Sequence, residues 1–391
     1  MPRALKSWEW RFAMTPTAIH SVRGPLEFFE NHRELVLDEI LRRAERAAIV
    51  EGRRVLSESS LSLQGAAILL RLPREALLEE ILARASAVSH RMFGRIVRLY
   101  APCSMSSLCV NGCRYCTTAS NDHAVGVWLP PARVAHEVRS LSRMGFRRIV
   151  LVAAESPAIA TSEYFSETLT RVRPIVPDVA LNVGAATEED YRRWRVAGAA
   201  GIICFQETYA RCAYESLHVS GPKSDYGFRL GALERAGRAG IGRLGLGVLL
   251  GLADPARDLL SMIAHARRLE ALFPGAELSL SVPRLPRAGP TISPAWTVSD
   301  EELIRYTAIL RLALPRAGLA ISTREPDWLR TRLLSVGVTE LGVPTQASCE
   351  PLVECQHEGG KEEALDHRDL DELRWDLEDL GYFVGGAASA A

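Results

Sequence analysis

The sequence predicts an α/β protein whose parallel strands close into a barrel. Short apolar runs recur through the middle of the chain, and charged segments with helical spacing separate them, which is typical of βαβ units. There are eight such runs, the number of strands in a (β/α)8 TIM-type barrel. An open doubly wound sheet would use the same elements and remains the alternative.

The chain before the barrel is predicted to be an N-terminal helical extension, assigned to residues 1–90. The segments Leu26–Val50 and Ala76–Phe93 carry apolar residues three and four positions apart, as one face of a helix requires. Pro73 precedes the second segment and is a helix-start signal.

The barrel is assigned to residues 91–350 and a C-terminal tail to residues 351–391. The tail is predicted to contain a short helix at Leu370–Leu380 and to end in mobile small residues, Gly385–Ala391. The eight runs assigned to strands are Ile96–Tyr100, Ile149–Ala153, Val179–Val183, Ile202–Phe205, Leu244–Leu250, Leu278–Val282, Leu319–Ser322 and Val336–Val343.

Composition and charge exclude several classes of protein. The chain has 391 residues, 47% of them hydrophobic, so it can bury a large core. Its 47 basic residues balance 47 acidic ones, so no net field draws it to nucleic acid or an anionic membrane. No apolar stretch reaches the roughly 20 residues that span a bilayer, and no signal peptide is visible. Eight cysteines are too few for a disulfide scaffold, which indicates a reducing cytoplasm.

The sharpest chemical signal follows the first predicted strand. Cys109, Cys113 and Cys116 have the spacing C-x3-C-x2-C on a loop. Three thiolates this close together are able to ligate three irons of a [4Fe–4S] cluster. No fourth cysteine stands at a matching position, so one iron keeps an open site for a substrate or cofactor. The alternatives are a structural zinc site, which needs a second cysteine pair, and three buried inert thiols.

This spacing, with the aromatic Tyr115 before the last cysteine, resembles the signature of the radical S-adenosylmethionine (SAM) enzymes. The resemblance implies that the open iron binds SAM and that reduction of the cluster splits SAM. The 5′-deoxyadenosyl radical so formed takes a hydrogen atom from the substrate, while the protein supplies placement and exclusion of water.

Five further motifs resemble the aromatic amino-acid lyase group of that superfamily. This group includes 2-iminoacetate synthase, the tyrosine lyase that matures the [FeFe]-hydrogenase cluster, and the tryptophan lyase of indolic-acid biosynthesis. The similarity spans about residues 80–345 and is closest to the hydrogenase maturase. The motifs run in family order and begin at Phe205, Tyr214, Gly247, Ser281 and Ser322.

The resemblance implies which residues bind SAM. The three cysteines hold the cluster, and Tyr115 lies beside the adenine. Ala154 and Glu155 resemble the Gly-Glu element at the end of the second strand, which meets the SAM amino group. Glu207, expected at the end of the fourth strand, resembles the acid that holds the ribose hydroxyls. Gln206 is expected to face another side, because strand side chains alternate.

The resemblance also implies substrate contacts. Arg324 follows the seventh strand, and its planar guanidinium can grip a carboxylate with two hydrogen bonds. Arg284 is expected to add a second positive group at the mouth. Ser104 stands where the family commonly has a tyrosine that faces the substrate, which reshapes the pocket. Cys103 beside it is either a pocket thiol or a buried inert one.

One family feature is missing from the sequence. The hydrogenase maturase holds a second cluster on C-terminal cysteines, whereas Cys349, Cys355 and His357 are too few and wrongly spaced for such a site. Delivery of carbon monoxide and cyanide is therefore not expected.

The sequence thus predicts a radical SAM carbon–carbon lyase that acts on a small amino acid or carboxylate, aromatic ones included. Two alternatives stay open: the same radical start on another small substrate, with a methyl or sulfur transfer, and a non-catalytic iron–sulfur scaffold. The expected partners are the small-molecule substrate and an electron donor such as flavodoxin or ferredoxin, with no nucleic acid or membrane.

Overall fold

Eight parallel strands close into a barrel in the computed structural model, which describes residues 33–116, 127–285, 292–344 and 366–385. Each strand pairs with the next, and the first pairs with both the eighth and the second. The predicted (β/α)8 barrel is therefore confirmed, and the open doubly wound sheet is excluded. The strands are β1 (Ile96–Ser106), β2 (Arg148–Ala153), β3 (Asp178–Asn182), β4 (Gly201–Ile203), β5 (Arg243–Gly247), β6 (Glu277–Ser281), β7 (Gly318–Ile321) and β8 (Glu340–Gly342).

The helices of the described residues cover the outside of the barrel. The first four form the N-terminal extension and pack mainly on the two helices that follow β5 and β6. They are α1 (Arg33–Ala44), α2 (Ile49–Ser57), α3 (Leu63–Arg71), α4 (Leu78–Phe93), α5 (Pro131–Arg143), α6 (Ser162–Val172), α7 (Glu188–Ala197), α8 (Arg211–Leu217), α9 (Tyr226–Leu230), α10 (Ala232–Arg238), α11 (Pro255–Leu272), α12 (Asp300–Ala313), α13 (Asp327–Leu334) and α14 (Leu370–Asp379).

Three predicted elements differ from the observed ones. The single helical segment Leu26–Val50 is interrupted where α1 ends at Ala44, before α2 begins at Ile49; residues 26–32 lie outside the described part. The second segment starts later than Ala76 because Leu77 takes a left-handed φ of 57°. The run Val336–Val343 is mostly loop, since only Glu340–Gly342 form a strand. Val336 and Val338 belong to the loop before it, and their burial explains why that loop is apolar.

Side chains along β1 alternate between the barrel lumen and the core beneath the helices, as strand geometry requires. Ala101 and Cys103 are fully buried in that core. Tyr100 points the other way, and its hydroxyl lies 3.4 Å from the Ile321 carbonyl of β7. Ser104 follows the same alternation. Ser104 therefore faces the lumen, and Cys103 is a core residue.

The lumen is closed at the N-terminal ends of the strands by a cluster of charges. Arg148 and Arg243 bond Asp178 at 2.8 and 2.7 Å, and Arg148 lies 3.3 Å from Glu340 across the barrel. Burial raises the pKa of Asp178, but the hydrogen bonds and charges of the two arginines outweigh it and lower that pKa below its usual value. Arg98 and Glu277 complete this ionic floor.

Higher in the lumen, bulky side chains lie over glycines of the neighbouring strand. A Cβ at Gly247 would come within 2.4 Å of the Phe205 ring, and one at Gly342 within 3.1 Å of the Tyr100 hydroxyl. Because glycine has no side chain, Gly247 and Gly342 leave room inside the barrel for the rings of Phe205 and Tyr100.

The C-terminal segment returns along the barrel. Helix α14 confirms the predicted C-terminal helix, and the short strand β9 (Phe383–Val384) pairs in parallel with the start of β1 at Ile96 and Val97. Residues 386–391, most of the predicted mobile tail, lie outside the described part.

Candidate active site

The cysteine loop follows β1 at the C-terminal mouth of the barrel, where TIM-barrel active sites lie. Its backbone is held by hydrogen bonds from Val110 N to the Glu155 carbonyl and from Arg114 N to the Leu217 carbonyl, both 2.9 Å. Cys113 also forms a β-bridge with His218. The loop is thereby fixed between the end of β2 and the segment after α8.

The three thiols of this loop suit a [4Fe–4S] cluster. Cys109, Cys113 and Cys116 are all free of disulfides. Burial raises the pKa of the Cys113 thiol to about 11, with Lys223 opposing the shift and the other two cysteines adding to it, so the three groups interact. Among the residues described, no three His, Cys, Asp or Glu side chains already stand in a metal-ligating arrangement. The thiols must turn toward one point to ligate iron, and three such donors fit that cluster.

Asn111 connects the cysteine loop to the rest of the site. Its side chain is 2% exposed; it donates to Glu155 Oε2 at 2.8 Å and accepts from Lys223 N at 2.9 Å. It also approaches Cys109 Sγ at 3.6 Å. No role for Asn111 was predicted from the sequence, because Glu155 and Lys223 are distant from it in the chain.

Glu155 lies at the mouth immediately after β2, as expected. Ala154 N continues the strand pairing by donating to the Ser106 carbonyl at 2.9 Å. The Glu155 carboxylate occupies the space above Gly184, where a Cβ would come within 2.5 Å of Oε1. Glu155 is therefore held between Asn111 and the loop after β3.

Glu207 does not end β4, because that strand stops at Ile203. Glu207 has a left-handed φ of 68°, and its Oε1 accepts from Lys223 Nζ at 2.6 Å, with Arg229 at 3.5 Å. Burial raises the pKa of Glu207, but these two cations outweigh it and lower the pKa below its usual value. The carboxylate is thus charged and oriented. No role was predicted from the sequence for Lys223 or for Arg229.

Gln206 beside it is 4% exposed, and its backbone N–H continues the pairing with the Gly247 carbonyl at 3.0 Å. Within the described residues its side-chain Nε2 has no hydrogen-bond partner. Buried polar groups are normally hydrogen-bonded, so a ligand with an acceptor atom at this place would complete the bonding of Gln206 Nε2.

Tyr115 lies in a partly apolar corner of the mouth. Its hydroxyl is 2.9 Å from His218 Nε2, and Lys223 Nζ lies 5.7 Å from its ring centre. The ring packs with a small apolar cluster formed by Leu249, Leu252 and Leu285. An aromatic ring on such a cluster provides a surface on which a nucleobase can stack.

The predicted substrate residues Arg324 and Arg284 follow β7 and β6. Arg324 is exposed on the turn after β7 and lines a pocket with Ser281 and Ser322. Arg284 is engaged within the protein, by Glu325 at 2.9 Å and Asp300 at 2.6 Å. Cys349, Cys355 and His357, the candidates for a second cluster, lie outside the described residues.

Known proteins resemble this chain over most of its length. A family model described as the Biotin and Thiamin Synthesis associated domain matches residues 281–383. The 2-iminoacetate synthase of Escherichia coli K12 is 31% identical over 315 residues, which cover 80% of this chain and 84% of that protein. The 2-iminoacetate synthase of Salmonella typhimurium LT2 is 29% identical over the same length.

Solved structures agree with the sequence relatives. A crystal structure of HydG, a maturase of the [FeFe]-hydrogenase, has a TM-score of 0.84 at 29% identity and covers 92% of this chain and 81% of its own. HydG from Carboxydothermus hydrogenoformans has a TM-score of 0.77 at 30% identity, with coverages of 96% and 86%.

The relatives confirm the predicted chemistry. The chain is a radical SAM carbon–carbon lyase that uses a [4Fe–4S] cluster and SAM to form a 5′-deoxyadenosyl radical and acts on a small amino-acid substrate. In the part that the structure describes, no helix is both long and apolar enough to cross a bilayer. The chain belongs to the aromatic amino-acid lyase group of the radical SAM enzymes, the family of 2-iminoacetate synthase and HydG.

Proposed function

We propose that Arg324 binds the carboxylate of an amino-acid substrate whose Cα–Cβ bond is then cleaved or rearranged. The observation that carries this proposal is the exposed Arg324 side chain on the turn after β7, at the C-terminal mouth of the barrel, where TIM-barrel active sites lie. Arginine grips a carboxylate with two parallel hydrogen bonds, and the Ser322 hydroxyl on the same turn is a suitable partner for an amino group or a second oxygen.

The three cysteines hold the cluster, which supplies the electron that splits SAM when both are bound. Glu155 binds the SAM ammonium group, and Asn111 keeps its carboxylate directed at the mouth. Glu207 accepts from the ribose hydroxyls, while Lys223 holds its other side. Tyr115 stacks on the adenine. Gln206 offers a buried amide donor next to this subsite.

The lumen beneath the mouth shields the radical from water. The ionic floor closes its lower end, and Tyr100 and Phe205 fill its middle over two glycines. A water-poor site prevents quenching of reactive intermediates. Ser104 faces this lumen in place of the family's tyrosine, so the chain has more room and a smaller polar group on this wall.

The partners and location of the chain follow from the same chemistry. A flavodoxin or ferredoxin supplies the reducing electron, and a reducing cytoplasm keeps the three thiols available as ligands. The balanced charge of the sequence, 47 basic against 47 acidic residues, supports neither nucleic acid nor a membrane as a partner.

The test is mass spectrometry on anaerobically reconstituted, reduced enzyme given SAM with tyrosine, with tryptophan or with neither. Substrate-stimulated 5′-deoxyadenosine together with p-cresol or an indole product supports cleavage of an aromatic amino acid. 5′-Deoxyadenosine without an aromatic fragment rules these two substrates out and favours the alternative radical outcomes, such as methyl or sulfur transfer.

A further inference from the structure

The turn that carries Arg324 links β7 to α13 and is anchored by its neighbours. Arg324 is exposed, whereas the next residue, Glu325, is 6% exposed. Within the turn, Arg324 N approaches Ser322 Oγ at 3.4 Å, which is too long for a strong hydrogen bond. Contacts that hold the backbone at Thr323 and Glu325 therefore also place the backbone of Arg324, which lies between them.

Arg284 holds the turn from the β6 side. Its Nε donates to Glu325 Oε1 at 2.9 Å, and its Nη2 donates to the other oxygen of the same carboxylate. Its Nη1 donates to Asp300 Oδ1 at 2.6 Å and to the Val298 carbonyl at 3.1 Å. These bonds use four of the five guanidinium N–H groups. The fork of Arg284 therefore grips Glu325 in the bidentate geometry that orients a carboxylate.

The C-terminal segment holds the turn from the other side. Asp366 N donates to the Thr323 carbonyl at 3.2 Å, and the Asp366 side chain is 1% exposed. Its carboxylate accepts from Arg330 of α13 and from Arg368 Nε, the latter at 2.9 Å. Arg330 also donates to the Gly342 carbonyl at the end of β8. Residues distant in sequence thus meet on both sides of one turn.

We propose that Arg284 and Asp366 are positioning residues that fix the backbone of the turn bearing Arg324, so that the Arg324 side chain projects from a fixed point before the substrate carboxylate arrives. Arg284 acts through Glu325, and Asp366 acts through Thr323. The inference rests on the proposed role of Arg324, and it assigns Arg284 a partner other than the substrate. Orientation in advance lowers the entropy lost on binding.

Hydrogen exchange tests the anchoring without any substrate. The variants Arg284→Gln and Asp366→Asn are expected to speed amide exchange in the peptide covering residues 322–325 by at least about tenfold. Arg284→Gln removes the charged hydrogen bonds to Glu325, and Asp366→Asn weakens the pairs with Arg330 and Arg368 that keep Asp366 N beside the Thr323 carbonyl. Arg257→Gln is the matched control: Arg257 pairs with Asp38 at 3.2 Å on the outer helices, so that peptide is expected to exchange as in the wild type. Unchanged exchange in both test variants overturns the proposal.

Steady-state kinetics separate positioning from direct contact. With whichever of tyrosine and tryptophan stimulates 5′-deoxyadenosine formation, Arg284→Gln and Glu325→Gln are each expected to raise KM roughly 10- to 100-fold, with kcat and SAM affinity within about twofold. The variant carrying both Arg284→Gln and Glu325→Gln is expected to have a KM no higher than that of either single variant, because both substitutions remove the same contact. If Arg284→Gln raises KM while Glu325→Gln does not, Arg284 contacts the substrate itself and the positioning role is wrong.

A different measurement tests whether Arg324 binds the substrate carboxylate. Arg324→Gln is expected to weaken tyrosine or tryptophan binding at least as much as Arg284→Gln, measured by calorimetry in the presence of SAM. If Arg324→Gln leaves the binding of both amino acids unchanged, the carboxylate site lies elsewhere. The exchange rates of residues 322–325 still decide whether Arg284 and Asp366 hold the turn.

Discussion

Two buried aspartates of this barrel, Asp258 and Asp178, have pKa values shifted in opposite directions by their different neighbours. Asp258 of α11 accepts from Thr208 Oγ1 at 2.9 Å and from Tyr209 N at 2.7 Å. It thereby fixes the two residues after Glu207, whose left-handed backbone needs support from its surroundings. The carboxylate is 1% exposed, and burial raises its pKa to about 7, partly offset by these hydrogen bonds and by Arg257, with Asp254 adding to the rise.

The raised pKa of Asp258 predicts a stability that falls as pH rises. The folded protein holds the Asp258 proton more tightly than the unfolded chain does, so the unfolding free energy decreases between about pH 4 and about pH 7. Asp258→Asn keeps an acceptor oxygen and removes the titration. It is expected to flatten that slope by up to about 1.4 kcal/mol per pH unit, measured by urea unfolding across the range. An unchanged slope in the variant would show that Asp258 does not titrate there.

Asp178 in the ionic floor predicts the opposite sign. Its pKa is lowered, so its contribution to stability is present above about pH 4 and is lost as pH falls further. Asp178→Asn leaves Arg148 and Arg243 without their shared partner. It is expected to lower the unfolding free energy at neutral pH by about 3–5 kcal/mol.

The control for this substitution is Glu189→Gln, because Glu189 forms an exposed pair with Arg193. That variant is expected to change the unfolding free energy by less than about 1 kcal/mol. Equal effects of the two substitutions would contradict a structural role for the floor.

At the scale of elements, β5 shows how a strand makes room inside the barrel. Gly247→Ala places a Cβ within 2.4 Å of the Phe205 ring, so we expect it to displace that ring and to lower the unfolding free energy by about 1–3 kcal/mol. Gly275→Ala is the matched control, because no atom lies within 4 Å of its added Cβ. Thermal unfolding measures both variants, and equal melting temperatures would exclude close packing at Gly247.

The lengths of the elements show where sequence patterns lose information. The apolar run Ile202–Phe205 indicates a strand, yet the regular strand β4 covers only Gly201–Ile203. Beyond it, single hydrogen bonds from Cys204 N and Gln206 N to β5 continue up to the left-handed residue Glu207. Apolar periodicity reports burial, and loop residues such as Val336 are also buried. Strand positions were therefore predictable, whereas strand ends were not.

At the scale of the whole molecule, the barrel order brings the site together. The cysteines and Glu155 could be predicted because they form local motifs at strand ends. Asn111 and its partner Lys223 are 112 residues apart, and Asp366 is 36 residues from Arg330. Pairs of this kind leave no periodicity in the sequence, and only the closed sheet places them in contact.

The last prediction joins the cysteine loop to the activity of the whole enzyme. Cys113→Ala removes one of three iron ligands but leaves the barrel intact, so we expect loss of bound iron and sulfide and of SAM cleavage, with an unchanged far-ultraviolet circular dichroism spectrum. Cys212→Ala is the matched control, because Cys212 is an exposed free thiol outside the loop; it is expected to keep both iron and turnover. The loop would hold the cluster through three thiolates, which leaves one iron open for SAM. Persistent 5′-deoxyadenosine formation by the Cys113→Ala variant would therefore show that the cluster is not held by this loop.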